Sequence, residues 1–287
     1  MIGLGISSQL VAAESTFHVH PVHHAELRMV NGSHWSIYRK PFGSENQAVL
    51  SADRLKGRDV QVIKEASLGH RNYFLITYRG KKCGWIDSYG LTRPRKYVLP
   101  YRYCSQLYPL WAPEACEAAS LKMALSTKGL ANGIGLKYII DRMPKSSNAN
   151  HGFSGNPYRD NSGILYWLNL IKHGFNGIAS QTIYPRPLAH YARRYDQNAK
   201  NITGASKHQL IQEIKHNHSV VFVGAFQMIN TNDSYHILTL VGYQPGKFLV
   251  ADPYRKWGQK HQVFWVSTHH LMRIFTNQLR HRRAVAV

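Results

Sequence analysis

Cysteine is scarce in this chain: Cys83, Cys104 and Cys116 are the three in 287 residues. An odd count leaves at least one thiol free and excludes a fully paired disulfide framework. A Cys83–Cys104 bridge stays open, since spacing says nothing about Cα separation. No Cys/His spacing matches a zinc site, so neither a metal nor another cofactor is expected. No run of apolar residues approaches the ~20 needed to span a membrane. No segment repeats. Acidic residues are also few, 15 Asp and Glu against 36 Lys and Arg, for a net charge of +21. Basic residues outnumber acidic ones more than two to one both in residues 17–97 and in residues 98–287. Such a surface attracts polyanions: nucleic acid, anionic lipid headgroups or phosphate-rich wall polymers. No nucleic-acid fold shows its motif, so no specific nucleic-acid partner is expected. The basic tail Leu279-Arg280-His281-Arg282-Arg283 reads as a solvated terminus.

The 44% hydrophobic content is enough for a sizeable core, and 287 residues suit one large or two ordinary domains. Residues 1–13 are short and apolar, and Val11-x-Ala13 resembles a small-residue cleavage site, although the positive start of a signal peptide is missing. They read as a signal-peptide remnant or a disordered N-terminus.

Pro113-Glu114-Ala115-Cys116 runs into the alanine-rich Glu117–Leu125. The pattern predicts a loop ending at Pro113 and a helix over 115–125 with one apolar face. Cys116 then lies in the first helical turn, where unpaired N–H groups and the helix dipole favour a thiolate. A lone Cys beside such a helix is equally at home as a small buried hydrophobe. What favours a nucleophile is a base and an acid downstream. Tyr235-His236-Ile237-Leu238-Thr239 reads as a strand headed by His236, and Lys247–Ala251 as the next strand, ended by Asp252-Pro253. A hairpin centred on Gln244 places His236 and Asp252 opposite each other on one face, whereas a two-residue turn at Pro245-Gly246 breaks that pairing. A carboxylate beside an imidazole orients the ring and favours its protonated form. The chain has 17 His; His151, His173, His190 and His208 carry no motif.

The remaining pattern splits the chain. Short strands at 25–29, 35–38, 59–63, 73–78 and 83–86, with turns at Asn31-Gly32, Pro41-Phe42-Gly43 and Arg79-Gly80, suggest a small β-barrel. Beyond it, helices are expected at 134–143, 163–172 (N-capped by Asn161 or Ser162), 187–195, 206–215 and 267–275, and strands at 219–223, 236–241, 247–251 and 263–266. The predicted class for the second region is α+β.

The segment around Cys116 resembles the Cys-Glu-x-x-Ser/Ala-Leu box of the C39-like cysteine peptidases, a papain-related family. Met143-Pro144-Lys145-Ser146 and His151-Gly152-Phe153-Ser154-Gly155-Asn156-Pro157-Tyr158 are similar to its Pro-Lys…Gly-Phe-x-Gly-x-Pro stretch. Ser234-Tyr235-His236 and Ala251-Asp252-Pro253 resemble its histidine and aspartate boxes. The resemblance covers residues 98–276 and implies a papain-like domain over 104–287. It implies Cys116 as nucleophile, His236 as base, Asp252 as orienting acid and the upstream Gln106, with the Cys116 backbone N–H, as oxyanion donors. The family box has Gly where Ala115 stands, a change compatible with a negative φ only. Residues 17–96 resemble the GW modules, SH3-like barrels of Gram-positive surface proteins. Tyr38–Gly43 matches their Pro-x-Gly turn, and Gly80–Asp87 their closing Gly-Trp strand, with Leu91 as the last core residue. Residues 97–103 are then a linker.

The resemblances imply a secreted, wall-associated peptidase that hydrolyses a peptide or protein. They imply binding to anionic wall polymers such as teichoic acids through Tyr38, Lys40, Lys81, Lys82 and Trp85, with Trp35 a further aromatic. The aromatics serve equally well as core of a small barrel. Two other readings stand beside this one: a peptidoglycan endopeptidase of a related thiol class, and a non-catalytic cationic adhesin.

Overall fold

A computed structural model describes residues 17–31, 34–44, 47–94, 96–160, 181–229, 235–277 and 281–287. The expected leader at 1–13 and helix at 163–172 lie outside the described residues. The chain divides into two compact units, the first built mainly from Arg28–Thr92 and the second mainly from Arg93–Val287. No helix among the described residues is long and apolar enough to cross a membrane.

The first unit is all-β. Strands β1 (His18–Val30), β2 (Ser36–Tyr38), β3 (Ala48–Ser51), β4 (Asp59–Leu68), β5 (Arg71–Tyr78), β6 (Lys81–Asp87) and β7 (Leu91–Thr92) form one sheet in the order β3-β2-β6-β5-β4-β1-β7. The expected strands are all present, and most are longer than their apolar stretches because the ladder continues into polar residues. The Arg79-Gly80 turn joins β5 to β6 with both residues at positive φ, the geometry that matches the strand twist. The interior gathers Val30, Ile37, Val60, Val62, Ile76 and Ile86, and Leu91 closes it. Gly84 has φ +135°, and a Cβ there would lie 2.6 Å from the Tyr38 carbonyl oxygen. Only glycine lets β2 approach β6 this closely, which is the physical content of the Gly84-Trp85 dipeptide. Trp85 itself is 6% exposed and packs with Ala66, Tyr73 and Leu75. Its assignment to a wall-polymer surface is therefore corrected: the ring is core. Tyr38 and Trp35 are partly buried against the two clusters of this unit. Lys40, Lys81 and Lys82 are exposed.

The second unit is α+β. Its sheet has the order β13-β12-β11-β10-β14-β9. The strands are β9 (Lys200–Asn201), β10 (Val220–Gly224), β11 (His236–Gln244), β12 (Lys247–Ala251), β13 (Val263–Ser267) and β14 (Ala284–Ala286). Helices α1 (Cys116–Ser126), α2 (Leu136–Arg142) and α3 (Pro185–Ala192) share a core with Val221, Val223 and Ile237. Helices α4 (Lys207–Lys215) and α5 (Thr268–Phe275) share another with Phe222, Leu238 and Leu240. Odd and even strand positions thus separate two helical layers around one sheet, as the two-residue strand period requires. Ser206 and Ser267 cap α4 and α5 through Gln209 N–H and His270 N–H, satisfying first-turn donors.

Residues 97–103 are not a free linker. Strand β8 (Tyr97–Val98) pairs with Gly242 and Tyr243 of β11, beyond the end of β10. Leu99 donates its N–H to Val241 and is 1% exposed. Apolar Tyr97, Val98 and Leu99 are used as core rather than as spacer. Gly242 makes this possible, since a Cβ there would lie 2.6 Å from the Tyr97 carbonyl oxygen.

Candidate active site

Helix α1 is buried all round, from Glu117 to Ser126, apart from Lys122. Lys122 turns its Nζ to the carbonyls of Ala131 and Ile134. A single apolar stripe was expected; a helix surrounded by protein is apolar on every side. Ser120 fixes its position. The Ser120 hydroxyl donates to the Ile237 carbonyl at 3.1 Å, and the Thr239 hydroxyl donates to the Ser120 carbonyl at 3.1 Å. Cys116 lies one turn earlier on the same helical face, so this lock brings it over the start of β11. There the Ile237 backbone N–H faces the thiol. Ala115, the N-cap, has φ −104°, so a side chain is accommodated where the family box has Gly.

His236 begins β11 and is 7% exposed. Its Nε2 lies 2.7 Å from Asp252 Oδ1. The hairpin register differs from the expected one. Gln244 pairs with Lys247 across a two-residue Pro245-Gly246 turn, and the register shifts between Leu240 and Gly242. Without that shift Asp252 would fall opposite Thr239, on the other face from His236. The bulge at Val241 moves the pairing to Thr239↔Ala251. Asp252 then falls opposite Leu238, two residues from His236 and on its face, within diagonal reach. One extra residue in β11 therefore allows the contact.

Asp252 is fully buried. It also accepts the Tyr254 N–H on Oδ1 at 2.8 Å and the Gln227 N–H on Oδ2 at 2.9 Å. Burial pushes its pKa up, but His236 and these amides outweigh that and hold it below the ordinary carboxylate value. Phe226 and Tyr254 stand beside the imidazole, their rings 4.8 Å apart and edge to face. The Asp252 loop is stapled to the strand-free segment ahead of α1. The Tyr103 hydroxyl donates to the Asp252 carbonyl, the Ser105 hydroxyl to the Arg255 carbonyl, and the Gln106 N–H to the Pro253 carbonyl. Gln106 is 1% exposed. Its Nε2 donates to the Pro113 carbonyl, and its buried Oε1 has no hydrogen-bond partner among the described residues. His236 and Asp252 are thus joined directly. Gln106 is tied to their loop through its backbone, and Cys116 adjoins Ile237.

The thiol environment departs from the helix-dipole expectation. Cys116 is partly exposed and free, as are Cys83 and Cys104. Burial, followed by the neighbouring Glu117 charge, pushes the Cys116 thiol well above its ordinary value, against the Ile237 N–H. Desolvation and a like charge at this site exceed the contribution of one helix terminus. Cys116 Sγ donates to Glu117 Oε2 at 3.4 Å. The other oxygen, Oε1, accepts the Thr182 hydroxyl. Glu117 is 1% exposed, and burial pushes its carboxyl up to about 7, against the hydrogen bonds from Thr182, the Cys116 thiol and the backbone.

The Pro-Lys…Gly-Phe stretch has its place here. Phe153 N–H bonds to Pro144, Ser146 N–H bonds to Phe153, and Ser154 N–H holds the Thr182 carbonyl at 3.0 Å. Sequence reasoning assigned no role to Glu117 or Thr182. One signal for Glu117 was available: an acid three and four residues ahead of Ser120 and Leu121, flanked by Ala118 and Ala119, sits on a face with Leu121 and Ala124 that has to be buried. A second buried carboxylate–imidazole pair also went unread. Glu213 Oε2 meets His218 Nδ1 at 2.7 Å, while Oε1 binds Lys200 Nζ at 2.8 Å.

Two sets of findings place the chain among known proteins. Residues 25–92 match the GW (Gly-Tryp) dipeptide domain. The solved structure of a protein assigned as a C39-like peptidase from Bacillus anthracis superposes with a TM-score of 0.52 at 19% identity, over 67% of this chain and 96% of that one. It shows a shared fold. A structure of an autolysin from Listeria monocytogenes reaches a TM-score of 0.24 at 15% identity, over 26% of this chain and 31% of that one, and carries no argument. No curated protein matches. Residues 98–270, more than half of the chain, match the Peptidase_C39 like family, and the chain belongs to that family.

Proposed function

We propose that the second unit is a cysteine peptidase with a Cys116–His236–Asp252 triad. The observation that carries this reading is the 2.7 Å His236–Asp252 contact at the head of β11, one residue from the amide that faces the Cys116 thiol. Asp252 engages Nε2, which leaves Nδ1 as the ring nitrogen for proton exchange with sulfur. In this scheme the imidazole takes the thiol proton, and the thiolate attacks a peptide carbonyl. The tetrahedral oxyanion is stabilised by the Cys116 backbone N–H and the second Nε2 hydrogen of Gln106. The imidazolium protonates the leaving amine, and a water activated by His236 then releases the acyl group.

The first unit, in the same reading, is an SH3-like wall-binding module occupying residues 17–96. The GW match and the +21 charge support it. It directs a secreted peptidase to anionic wall polymers, with exposed Lys40, Lys81 and Lys82 as contacts. Wall peptides or surface proteins are the substrate class.

The test is hydrolysis of a peptide library together with iodoacetamide labelling of Cys116. Cys116→Ala should abolish cleavage with unfolding midpoint unchanged, and His236→Ala should slow labelling at least tenfold. Residual cleavage by Cys116→Ala, or labelling indifferent to His236→Ala, overturns the triad. A stable protein with no hydrolase activity leaves the adhesin reading.

A further inference from the structure

The thiol of Cys116 donates its hydrogen bond to a carboxylate and not to the imidazole. Glu117 is buried, joined to Cys116 at 3.4 Å through one oxygen and to the Thr182 hydroxyl through the other. Among the described residues its bonded neighbours are Thr182, the Cys116 thiol and backbone N–H groups, and none is a Lys or Arg that would hold it ionised at all pH values. Other groups face this cluster. Glu114, in the loop ahead of α1, adds a further negative charge that acts on the thiol in the same direction as Glu117. Tyr235, just before β11, has a buried hydroxyl without a well-formed hydrogen bond and lies near Glu117, Thr182 and Arg283. Arg283, just before β14, stacks on the Tyr184 ring at 3.8 Å. The Ile183 N–H also reaches the Glu117 carboxyl. His236, one residue before Ile237, is engaged by Asp252 at 2.7 Å.

Two negative charges at this distance, one of them on a buried carboxyl, strongly disfavour each other. We propose that Glu117 is the proton-holding residue of this site: ionised, it keeps the Cys116 proton and silences the nucleophile; neutral, it releases the thiol to His236. This rests on the proposed triad and adds regulation to it. The step balances as a proton transfer. The S–H bond breaks as imidazole N–H forms, while Glu117 keeps its own proton. When Glu117 has lost that proton, the same transfer would leave thiolate and carboxylate adjacent, and it is suppressed. Burial places the changeover at about pH 7, so the thiol chemistry belongs to the mildly acidic side. The sign is definite: an acid with a raised pKa is neutral below the changeover and charged above it.

The experiment is the rate of Cys116 alkylation by iodoacetamide from pH 5.5 to 8.5, read by mass spectrometry, in the full chain and in Glu117→Gln. At pH 8.5 the variant should alkylate at least tenfold faster than the parent; at pH 5.5 the two should agree within about threefold. Thr182→Val, which removes a donor to the carboxylate and keeps it neutral to higher pH, should shift the parent profile upward by a smaller step. It serves as the readout if Glu117→Gln does not fold. A ratio of variant to parent that is the same at both pH values, or a Thr182→Val profile superimposable on the parent, overturns the proposal. A merely structural role would scale the rates at all pH values alike. The outcome is separable from the triad: labelling unaffected by His236→Ala removes the base, while the Glu117→Gln profile still reports on the carboxyl.

Discussion

The two units use their interiors differently. Among the described residues the first hides Thr77 and Asp87 and otherwise buries apolar side chains. The second hides Gln106, Glu117, Glu213, His218, His236 and Asp252 among others. A buried polar group is costly unless it is bonded, so a fold gains nothing from such a collection except where chemistry or a specific lock needs it. The first unit keeps its charged groups, Asp87 apart, on its surface, and the second gathers ionisable groups inside, around α1, β11 and the Asp252 loop. Within the second unit the contrast sharpens further. Glu213–His218 and Asp252–His236 are equally close, both 2.7 Å. The first pair adds Lys200 and ties β9, α4 and the start of β10. The second adds two backbone amides, and its histidine is followed by Ile237, whose N–H faces the Cys116 thiol. A His–carboxylate contact by itself therefore does not mark a site; the two pairs differ in what surrounds them.

The sharpest way to break this comparison is to cut both pairs. Glu213→Ala and Asp252→Ala should each cost about 3–5 kcal/mol in denaturant unfolding, because a buried group loses its partner. Only Asp252→Ala should also slow Cys116 alkylation, by at least tenfold, and equal alkylation in the two variants would erase the distinction. Next comes Trp85→Ala, which should cost about 3–5 kcal/mol by emptying the first unit's second core cluster. Cys116 alkylation in that variant should stay within twofold of the parent, since the site is built inside the second unit. The smallest structural effect belongs to the double substitution Lys81→Glu and Lys82→Glu, within about 0.5 kcal/mol at exposed positions. Retention on a column of immobilised polyphosphate should nonetheless fall, and fall most at low salt, where surface charge is least screened. Unchanged retention would move polymer binding away from the β5–β6 hairpin.

Much of this was legible in the chain itself. Periodicity located α1, α4, α5 and the β11–β12 pair to within a few residues, because each has a distinct run of apolar residues and is bounded by a capping Ser, a Pro or a turn. The places of the three proposed triad residues were legible for the same reason: Cys116 opens a helix, His236 opens a strand, and Asp252-Pro253 follows the end of one. Linear patterns failed where a residue's role depends on what approaches it from elsewhere. Trp85, beside Lys81 and Lys82, reads equally as a polymer contact or as barrel core, and only its packing with Ala66, Tyr73 and Leu75 decides for core. Tyr97–Leu99 reads as a connector, yet a gap beside β11 accepts it as a strand.

What the amino-acid order determined by itself is the inventory: two regions, the helix and strands of the second, a strongly basic surface and one Cys, one His and one Asp at the ends of predictable elements. Those follow from local propensity and burial period, which act over a few residues. The tertiary structure alone decided the register. A single bulge at Val241 sets which face Asp252 shares with His236, and the packing of α1 decides that the Cys116 thiol meets Glu117 in a desolvated pocket. The first is a matter of two neighbouring strands, whose paired residues His236 and Asp252 stand 16 positions apart. The second depends on α1 packing onto β11, 117 positions away at the Ser120–Ile237 bond, where desolvation, and not the helix dipole, governs which group carries the charge.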